Sequence, residues 1–339
     1  MDPEVPVLLN CIAGCVCMVV DLTFYLFLIV SRNLDSVLHW ILSNYCVSEI
    51  VRGIGAVFSL ALFRQRVDLI NSLMDFSLSP PARKDIFESM QLNHNVSDTV
   101  NNLSDACFLC TQVFGVLAMM YLYYELSSPH RAAPKFKYHS SVLTLIIWLA
   151  SAGYFFFKTF LIMQSTAVQN TFSAVIRFST TIDLIVTLVC GLAIVTVAGL
   201  LVRLITCKDS QREPVAYDAV EAQINLSQQE RITEHKKWQR RCYTAFGPLL
   251  SLFGCLIVVS ISQTIQCMCH WNLLSMDILK TSSLVTHLKT AADVALFSVS
   301  ALLPLYWLFA DYHIRSELCL RGRSLQRRLG RSPKLIVED

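Results

Sequence analysis

Long apolar stretches separated by short polar segments dominate the chain. Seven of these stretches reach the length of about 20 residues that a helix needs to cross the hydrocarbon core of a bilayer. The predicted spans are residues 5–30, 38–62, 103–126, 138–157, 178–205, 242–267 and 284–309. Charged residues interrupt the first two spans. We still count both, because otherwise long apolar segments would lie in water. The pattern predicts an all-α membrane protein with a seven-transmembrane helix bundle as its one domain.

The composition excludes several other classes of protein. Apolar residues make up 54% of the chain and charged residues only 16%, and the mean hydropathy is +0.50. A soluble domain with so few charged residues could not cover its surface, so a soluble enzyme is a poor interpretation. A disordered chain and a secreted disulfide scaffold are disfavoured for the same reason.

The distribution of basic residues predicts the orientation of the helices. Of the 28 Lys and Arg residues, 19 lie in the segments between alternate spans and after the last one, whereas eight lie on the other side. Cytoplasmic connections carry the excess of Lys and Arg in membrane proteins. We therefore expect a plasma-membrane protein with an extracellular amino terminus and a cytoplasmic carboxyl terminus.

The connections between spans differ in length and polarity. Residues 64–101 are predicted to form an exposed outer loop, because Pro80 and Pro81 break helices and the asparagines nearby favour turns. The polar segment 206–241 either extends the fifth or sixth helix or forms a solvated loop. Residues 311–339 form a basic cytoplasmic tail. Its start is predicted to be a short amphipathic helix on membrane lipid, the alternative being a disordered tail.

Charged residues within the first two spans need a partner, because an unpaired charge at bilayer depth is costly. Glu49 and Arg52 are three residues apart, which places them on one helix face where they can form an ion pair. With Asp21 they are predicted to form a polar switch cluster whose hydration or protonation changes as the helices move. The alternative is an ion pair with a structural role alone.

Three acidic residues lie near the predicted outer ends of three different spans. Asp105, Asp183 and Asp293 are expected to form the acidic lining of an outward cavity that recognises a cationic ligand. The competing interpretation is that Asp105 and Asp183 are ordinary residues of the membrane interface.

Cysteines and sequons suggest covalent modifications. One disulfide between the third and sixth spans is expected among the cysteines near their outer ends, which are Cys107, Cys110, Cys267 and Cys269. Two cysteines flank the membrane on the cytoplasmic side and are candidates for palmitoylation, namely Cys207 and Cys319. Two sequons of the predicted outer loop are glycosylation candidates, at Asn95 and Asn102. Asn95 is the more accessible of the two, because Asn102 lies close to the third span.

Catalytic and cofactor motifs are lacking in the sequence. It contains no Gly-rich phosphate loop, no metalloprotease motif and no nucleophile elbow. Cys267, Cys269 and His270 lack a fourth ligand for zinc. We therefore predict neither an enzyme nor a metal site, and we predict no cofactor and no nucleic-acid partner.

Several short motifs occupy corresponding places in a known family. The segment Asn44–Glu49 ends in an acid, and Asp21 lies 28 positions before Glu49. Trp148 is in the fourth span, Pro304 is in the seventh, and Arg315 follows at the start of the tail. With seven spans, this arrangement resembles the rhodopsin-like G-protein-coupled receptors. The resemblance implies that Glu49 replaces the sodium-site aspartate and that Pro304 is the proline of the Asn-Pro-x-x-Tyr motif.

The departures from the family pattern concern signalling. At the inner end of the third span Glu125, Leu126 and Ser127 stand where the family has Asp-Arg-Tyr, so the arginine that contacts the G protein is missing. Leu303 and Trp307 replace the asparagine and the tyrosine of the seventh-span motif. These departures leave weak coupling, constitutive activity and no coupling open.

The sequence thus predicts a receptor that transmits an unknown extracellular ligand to a cytoplasmic partner through helix rearrangement. The resemblance implies a heterotrimeric G protein as that partner. One alternative is a non-signalling protein of the same architecture, such as a decoy, a scavenger or a regulator of another receptor. A proton-coupled transporter is a third possibility, which the lack of an internal repeat disfavours.

Overall fold

The structure of the 339-residue chain is a computed structural model. It describes residues 4–31, 37–74, 80–127, 133–165, 169–210, 247, 250–254, 256–269, 271, 278–310 and 318–320. All regular structure in these ranges is helical, and they contain no strand. Seven helices in the described part of the chain are long and apolar enough to cross a membrane. The helical fold class is thereby confirmed, as is the number of helices that could span a membrane.

The helices extend beyond most of the predicted spans. Their bounds are α1 Glu4–Val30, α2 Val37–Leu73, α3 Pro80–Ser127, α4 Ala133–Ser165, α5 Gln169–Ser210, α6 Leu250–Cys269 and α7 Ile278–Ala310. The fifth helix continues to Ser210, so the polar segment after it begins as helix. The rest of that segment, residues 211–246, lies outside the described residues, as does most of the tail. Leu318–Leu320 of the tail is helical and exposed.

The faces of α1 are inverted relative to those of a soluble helix. Cys17, Asp21, Phe24 and Leu28 are buried and follow each other at helical spacing. The opposite face is exposed and mostly apolar, and its large apolar side chains include Ile12, Val16, Val19, Leu22, Leu26 and Ile29. Polar groups toward the bundle and apolar groups toward the surroundings are what a helix in lipid requires.

Two glycines allow α1 and α2 to approach closely. A methyl group added at Gly53 would lie 2.8 Å from the carbonyl oxygen of Gly14, and one added at Gly14 would lie 2.8 Å from Ala56 Cβ. Small residues at a helix interface let the backbones meet, which favours association where lipid removes the hydrophobic driving force. This contact fixes Asp21 of α1 beside Glu49 of α2.

The prediction of an outer loop at residues 64–101 is wrong. Helix α2 continues to Leu73 and α3 begins at Pro80, so most of the segment is a helical hairpin. Proline fits the first turn of a helix, because the amide hydrogens there lack helical partners anyway. Asn93 Nδ2 of α3 donates to the Leu62 carbonyl oxygen at 3.2 Å and to Gln65 Oε1 at 3.0 Å, both on α2. The polar start of α3 is therefore packed against α2.

The main apolar core lies in the half of the bundle where α1, α3, α5 and α7 end. Its largest buried side chains include Trp307 of α7, Phe114 of α3 and Tyr45 of α2. In the other half, where α4 and α6 end and α5 and α7 begin, polar and charged residues surround an open space.

Candidate ligand cavity

The three acids expected to line one cavity do so. Asp105 of α3, Asp183 of α5 and Asp293 of α7 all line a cavity of about 200 Å³. Each lies in the half of its helix that the distribution of Lys and Arg predicts to be extracellular.

The lining also contains three cations, which corrects the expectation of an acidic lining. Arg52 of α2, Lys158 of α4 and Lys289 of α7 line the same cavity. In the sequence, Lys158 and Lys289 are two of the eight basic residues on the predicted outer side, and Arg52 is predicted only as the partner of Glu49. Their places on three separate helices could not be read from sequence spacing. The cavity therefore carries equal numbers of acidic and basic side chains.

Lys158 joins two of the acids into one network. Its ammonium contacts Asp105 Oδ2 and lies 3.8 Å from Asp183 Oδ2. The Tyr154 hydroxyl donates to Asp183 Oδ1 at 2.6 Å. Within this network, the side chains of Lys158, Asp105 and Asp183 are 12%, 28% and 16% exposed. The three charges are thus accessible from the cavity.

Lys289 and Asp293 lie one turn apart on α7 and contribute the remaining charges of this half of the bundle. Lys289 is exposed and Asp293 is half-buried. No hydrogen bond or ion pair joins either side chain to a residue in the described part of the chain. Their charges interact at longer range with each other, with Asp105 and with Arg52, and both side chains still have room for a direct hydrogen bond or ion pair with a ligand.

Below the cavity, Arg52 and Glu49 form the ion pair that their spacing predicted. Arg52 Nη1 donates to Glu49 Oε1 at 2.8 Å and to Oε2 at 3.0 Å. The side chains are 2% and 0% exposed. The Arg52 guanidinium also lies 4.6 Å from the ring centre of Phe297 and 5.4 Å from that of Phe108. Its Nε has no hydrogen-bond partner among the described residues.

Asp21 is connected to this pair through a thiol that the sequence did not single out. Cys17 Sγ lies 3.0 Å from Asp21 Oδ2 and 3.5 Å from Glu49 Oε2, so its one S–H can donate to either carboxylate. Asp21 is fully buried, and its Oδ1 has no partner among the described residues. Cys17 precedes Asp21 by one helical turn, a spacing that could have indicated the contact.

No family model and no curated protein matches the chain. The chemistry of the cavity and of the buried network must therefore indicate the function.

Two residues of the resemblance motifs contact each other. Trp148 Nε1 of α4 donates to Asn44 Oδ1 of α2 at 2.9 Å. Near the proline of the seventh helix, the Tyr45 hydroxyl donates to Ser300 Oγ at 2.9 Å. Pro304 lies within α7 and lacks the amide hydrogen that would bind the Ser300 carbonyl one turn earlier. Trp307 is buried in the main core.

The motif at the end of the third helix is described only as backbone. Helix α3 reaches Ser127, but the side chains of Glu125, Leu126 and Ser127 lie outside the described ones. The missing arginine at Leu126 thus remains an observation on the sequence.

The predicted disulfide is absent from the four cysteines proposed for it. Cys107, Cys110, Cys267 and Cys269 are all free thiols. Cys110 Sγ donates to Ser151 Oγ at 2.9 Å, and Cys267 Sγ lies 3.6 Å from Thr181 Oγ1. Their positions near the predicted outer ends followed from the spacing of the spans, whereas the helix faces that they occupy did not.

The remaining modification candidates differ in exposure. Asn95 is exposed on α3, whereas Asn102 is 3% exposed and donates to Thr159 Oγ1 at 3.4 Å. A glycan at Asn102 would have to displace this contact, so the exposure of the two side chains favours Asn95 as the acceptor. Cys319 is exposed, while the side chain of Cys207 lies outside the described ones.

Proposed function

We propose that the chain is a plasma-membrane receptor that binds a small polar ligand in the cavity and transmits binding to its cytoplasmic face. The positive-inside rule supports placing the cavity on the outer side. The connections rich in Lys and Arg lie at the end of the bundle away from the cavity, and that end is predicted to be cytoplasmic. The ligand acts by population shift: it favours whichever helix arrangement it binds more tightly, by the difference in affinity.

This proposal depends on Arg52, which belongs both to the cavity lining and to the buried ion pair. Its guanidinium lines the cavity and at the same time holds both carboxylate oxygens of Glu49. A ligand that reaches Arg52 therefore changes the electrostatic environment of Glu49. Because Glu49 is fully buried, a change in its pairing has a large energetic effect.

Coupling then proceeds through contacts among α1, α2 and α7. The thiol of Cys17 lies between Glu49 and Asp21, so a shift of Glu49 alters the hydrogen bonds of α1. Arg52 packs on Phe297 of α7, seven residues before the helix-breaking Pro304. A helix interrupted by proline bends more readily than a continuous one. Rearrangement of α7 at this point is the proposed route to the inner face.

The resemblance to rhodopsin-like receptors supports a heterotrimeric G protein as the cytoplasmic partner. It rests on Glu49, Trp148 and Pro304 at their motif positions. Leu126, where that family has arginine, favours a second candidate: a binding protein of the same architecture that does not signal.

A nucleotide-exchange assay distinguishes the two candidates. The full chain in lipid nanodiscs is mixed with a panel of purified G proteins, with empty nanodiscs as the control. The variant Glu49→Gln/Arg52→Gln removes the ion pair and keeps the side-chain sizes similar. A receptor gives exchange above the control with at least one G protein, and the double variant changes that rate. Exchange at the control level throughout would favour the non-signalling candidate.

A further inference from the structure

We infer that the ligand of the cavity is a small zwitterion with an ammonium and a carboxylate group, the chemistry of a free amino acid. This inference rests on the proposed function in that both use the same cavity. The class of ligand follows from which charged groups of the lining the protein itself leaves unpaired.

The protein's own ion pairs engage four of the six charged side chains of the lining, including Arg52, which binds Glu49 through Nη1. Lys158 lies between Asp105 and Asp183, and Tyr154 donates a further hydrogen bond to Asp183. A ligand that bound either acid would have to compete with this lysine. The groups left for a ligand are the free edge of Arg52, together with Lys289 and Asp293.

Arg52 requires an acceptor. Arg52 lines the cavity and is 2% exposed. Its Nε is buried and has no hydrogen-bond partner among the described residues. A buried donor without a partner is costly. The planar guanidinium presents its donors in a fork that matches a carboxylate. Lys289 adds a second positive charge to the same lining.

Two acceptor groups, one on α6 and one on α7, lack a hydrogen-bond donor within the described ranges. Asp293 offers a carboxylate with no hydrogen-bonded partner in the described part of the chain. Gln263 Oε1 is buried and also lacks a partner among the described residues. An ammonium group has three donors and can satisfy two acceptors at once.

Charge and size select a zwitterion over a simple ion. Lys289 and Asp293, the two charged side chains of the lining that form no ion pair with a described residue, carry opposite signs, so a ligand of one sign would leave one of them without a direct partner. The volume of about 200 Å³ equals that of roughly seven waters in the liquid. A compact molecule that carries both charges fits this space.

The first experiment measures which functional groups binding requires. The purified full chain is exposed to each standard amino acid and to its N-acetyl and methyl-ester derivatives, and binding is followed by thermal stabilisation and by isothermal titration. We expect at least one free amino acid to bind. We expect its N-acetyl form, which lacks the ammonium, and its ester, which lacks the carboxylate, to bind at least about tenfold more weakly.

The second experiment assigns binding to the cavity. Asp293→Asn and Lys289→Gln are expected to weaken binding of the free amino acid at least about tenfold. Asp85→Asn and Lys84→Gln make the same chemical changes at exposed positions of α3 and are expected to leave the affinity unchanged. All four side chains are accessible or half-buried, so the variants are expected to fold.

Three outcomes would overturn the inference: no free amino acid binds, the blocked derivatives bind equally well, or Asp293→Asn and Lys289→Gln have no effect. These outcomes differ from failure of the proposed function. Amino-acid binding without nucleotide exchange would overturn the signalling role and retain the ligand class. Nucleotide exchange without amino-acid binding would overturn the ligand class and retain the signalling role.

Discussion

Two networks of charged side chains, similar in composition, lie in different surroundings. We call Lys158, Asp105 and Asp183 the open network, because each side chain is between 12% and 28% exposed. We call Arg52, Glu49, Asp21 and Cys17 the closed network, because none of its members is more than 2% exposed. The comparison shows that charged residues of similar types occur in this bundle both in a partly exposed and in a fully buried setting.

The energetic consequences differ accordingly. Solvent screens an accessible ion pair, so its net contribution to stability is small. In a buried pair the cost of desolvation is already incurred, and removal of one partner leaves a charge with no compensation. Arg52 belongs to the closed network and also lines the cavity, so it connects the two environments.

The largest effect is expected from breaking the closed network at one residue. Arg52→Leu leaves Glu49 buried without its partner, and we expect it to lower the free energy of unfolding by about 3–5 kcal/mol. The double variant Arg52→Leu/Glu49→Leu removes both charges and should recover most of this loss. Denaturant unfolding of the purified chain measures both. Equal destabilisation by the single and double variants would contradict a closed ion pair.

A smaller effect is expected from loosening the helix contact that holds the closed network together. Gly53→Ala places a methyl group 2.8 Å from the Gly14 carbonyl oxygen, and we expect a loss of about 1–3 kcal/mol in unfolding free energy from overpacking. Gly191→Ala on α5 is the matched control, because an added methyl group there meets nothing within 4 Å. A loss of the same size in the control would show that close approach of α1 and α2 is not the cause.

The sequence predicted those parts of this comparison that depend on local spacing. Glu49 and Arg52 are three residues apart on one helix, so their pairing followed from helical geometry alone. The seven spans followed from hydropathy, because the length of an apolar segment directly reflects the thickness of the bilayer. The three acids of the cavity were expected on outer helix ends, a placement that the topology implied.

The features that depend on contacts between helices were not predictable in the same way. Lys158 and Asp105 are 53 residues apart, and nothing in the sequence relates the faces of α3 and α4. The helical structure within residues 64–101 was missed because the Asn and Pro residues of this segment favour turns when considered locally. Its packing on α2 through Asn93 outweighs that preference. Cys107 and Cys110 likewise face helix neighbours rather than the predicted disulfide partners.

The smallest effect on stability is expected from the open network. Lys158→Gln removes the ammonium between two partly exposed acids, and we expect a loss of about 1 kcal/mol in the free energy of unfolding, smaller than for the variants above. The same denaturant titration used for Arg52→Leu provides the measurement. A loss as large as that of Arg52→Leu would mean that the two networks do not differ as described.

The most direct test of the link between cavity and inner face is hydrogen–deuterium exchange of the full chain in nanodiscs, with Arg52→Lys compared with Lys158→Arg. Both variants conserve charge, but a lysine lacks the planar fork by which Arg52 can bind Glu49 and still present donors to the cavity. We predict that Arg52→Lys changes exchange in the cavity-lining segments and also at the far ends of α1 and α7, whereas Lys158→Arg changes only the cavity segments. Changes confined to the cavity in both variants would contradict transmission through Arg52.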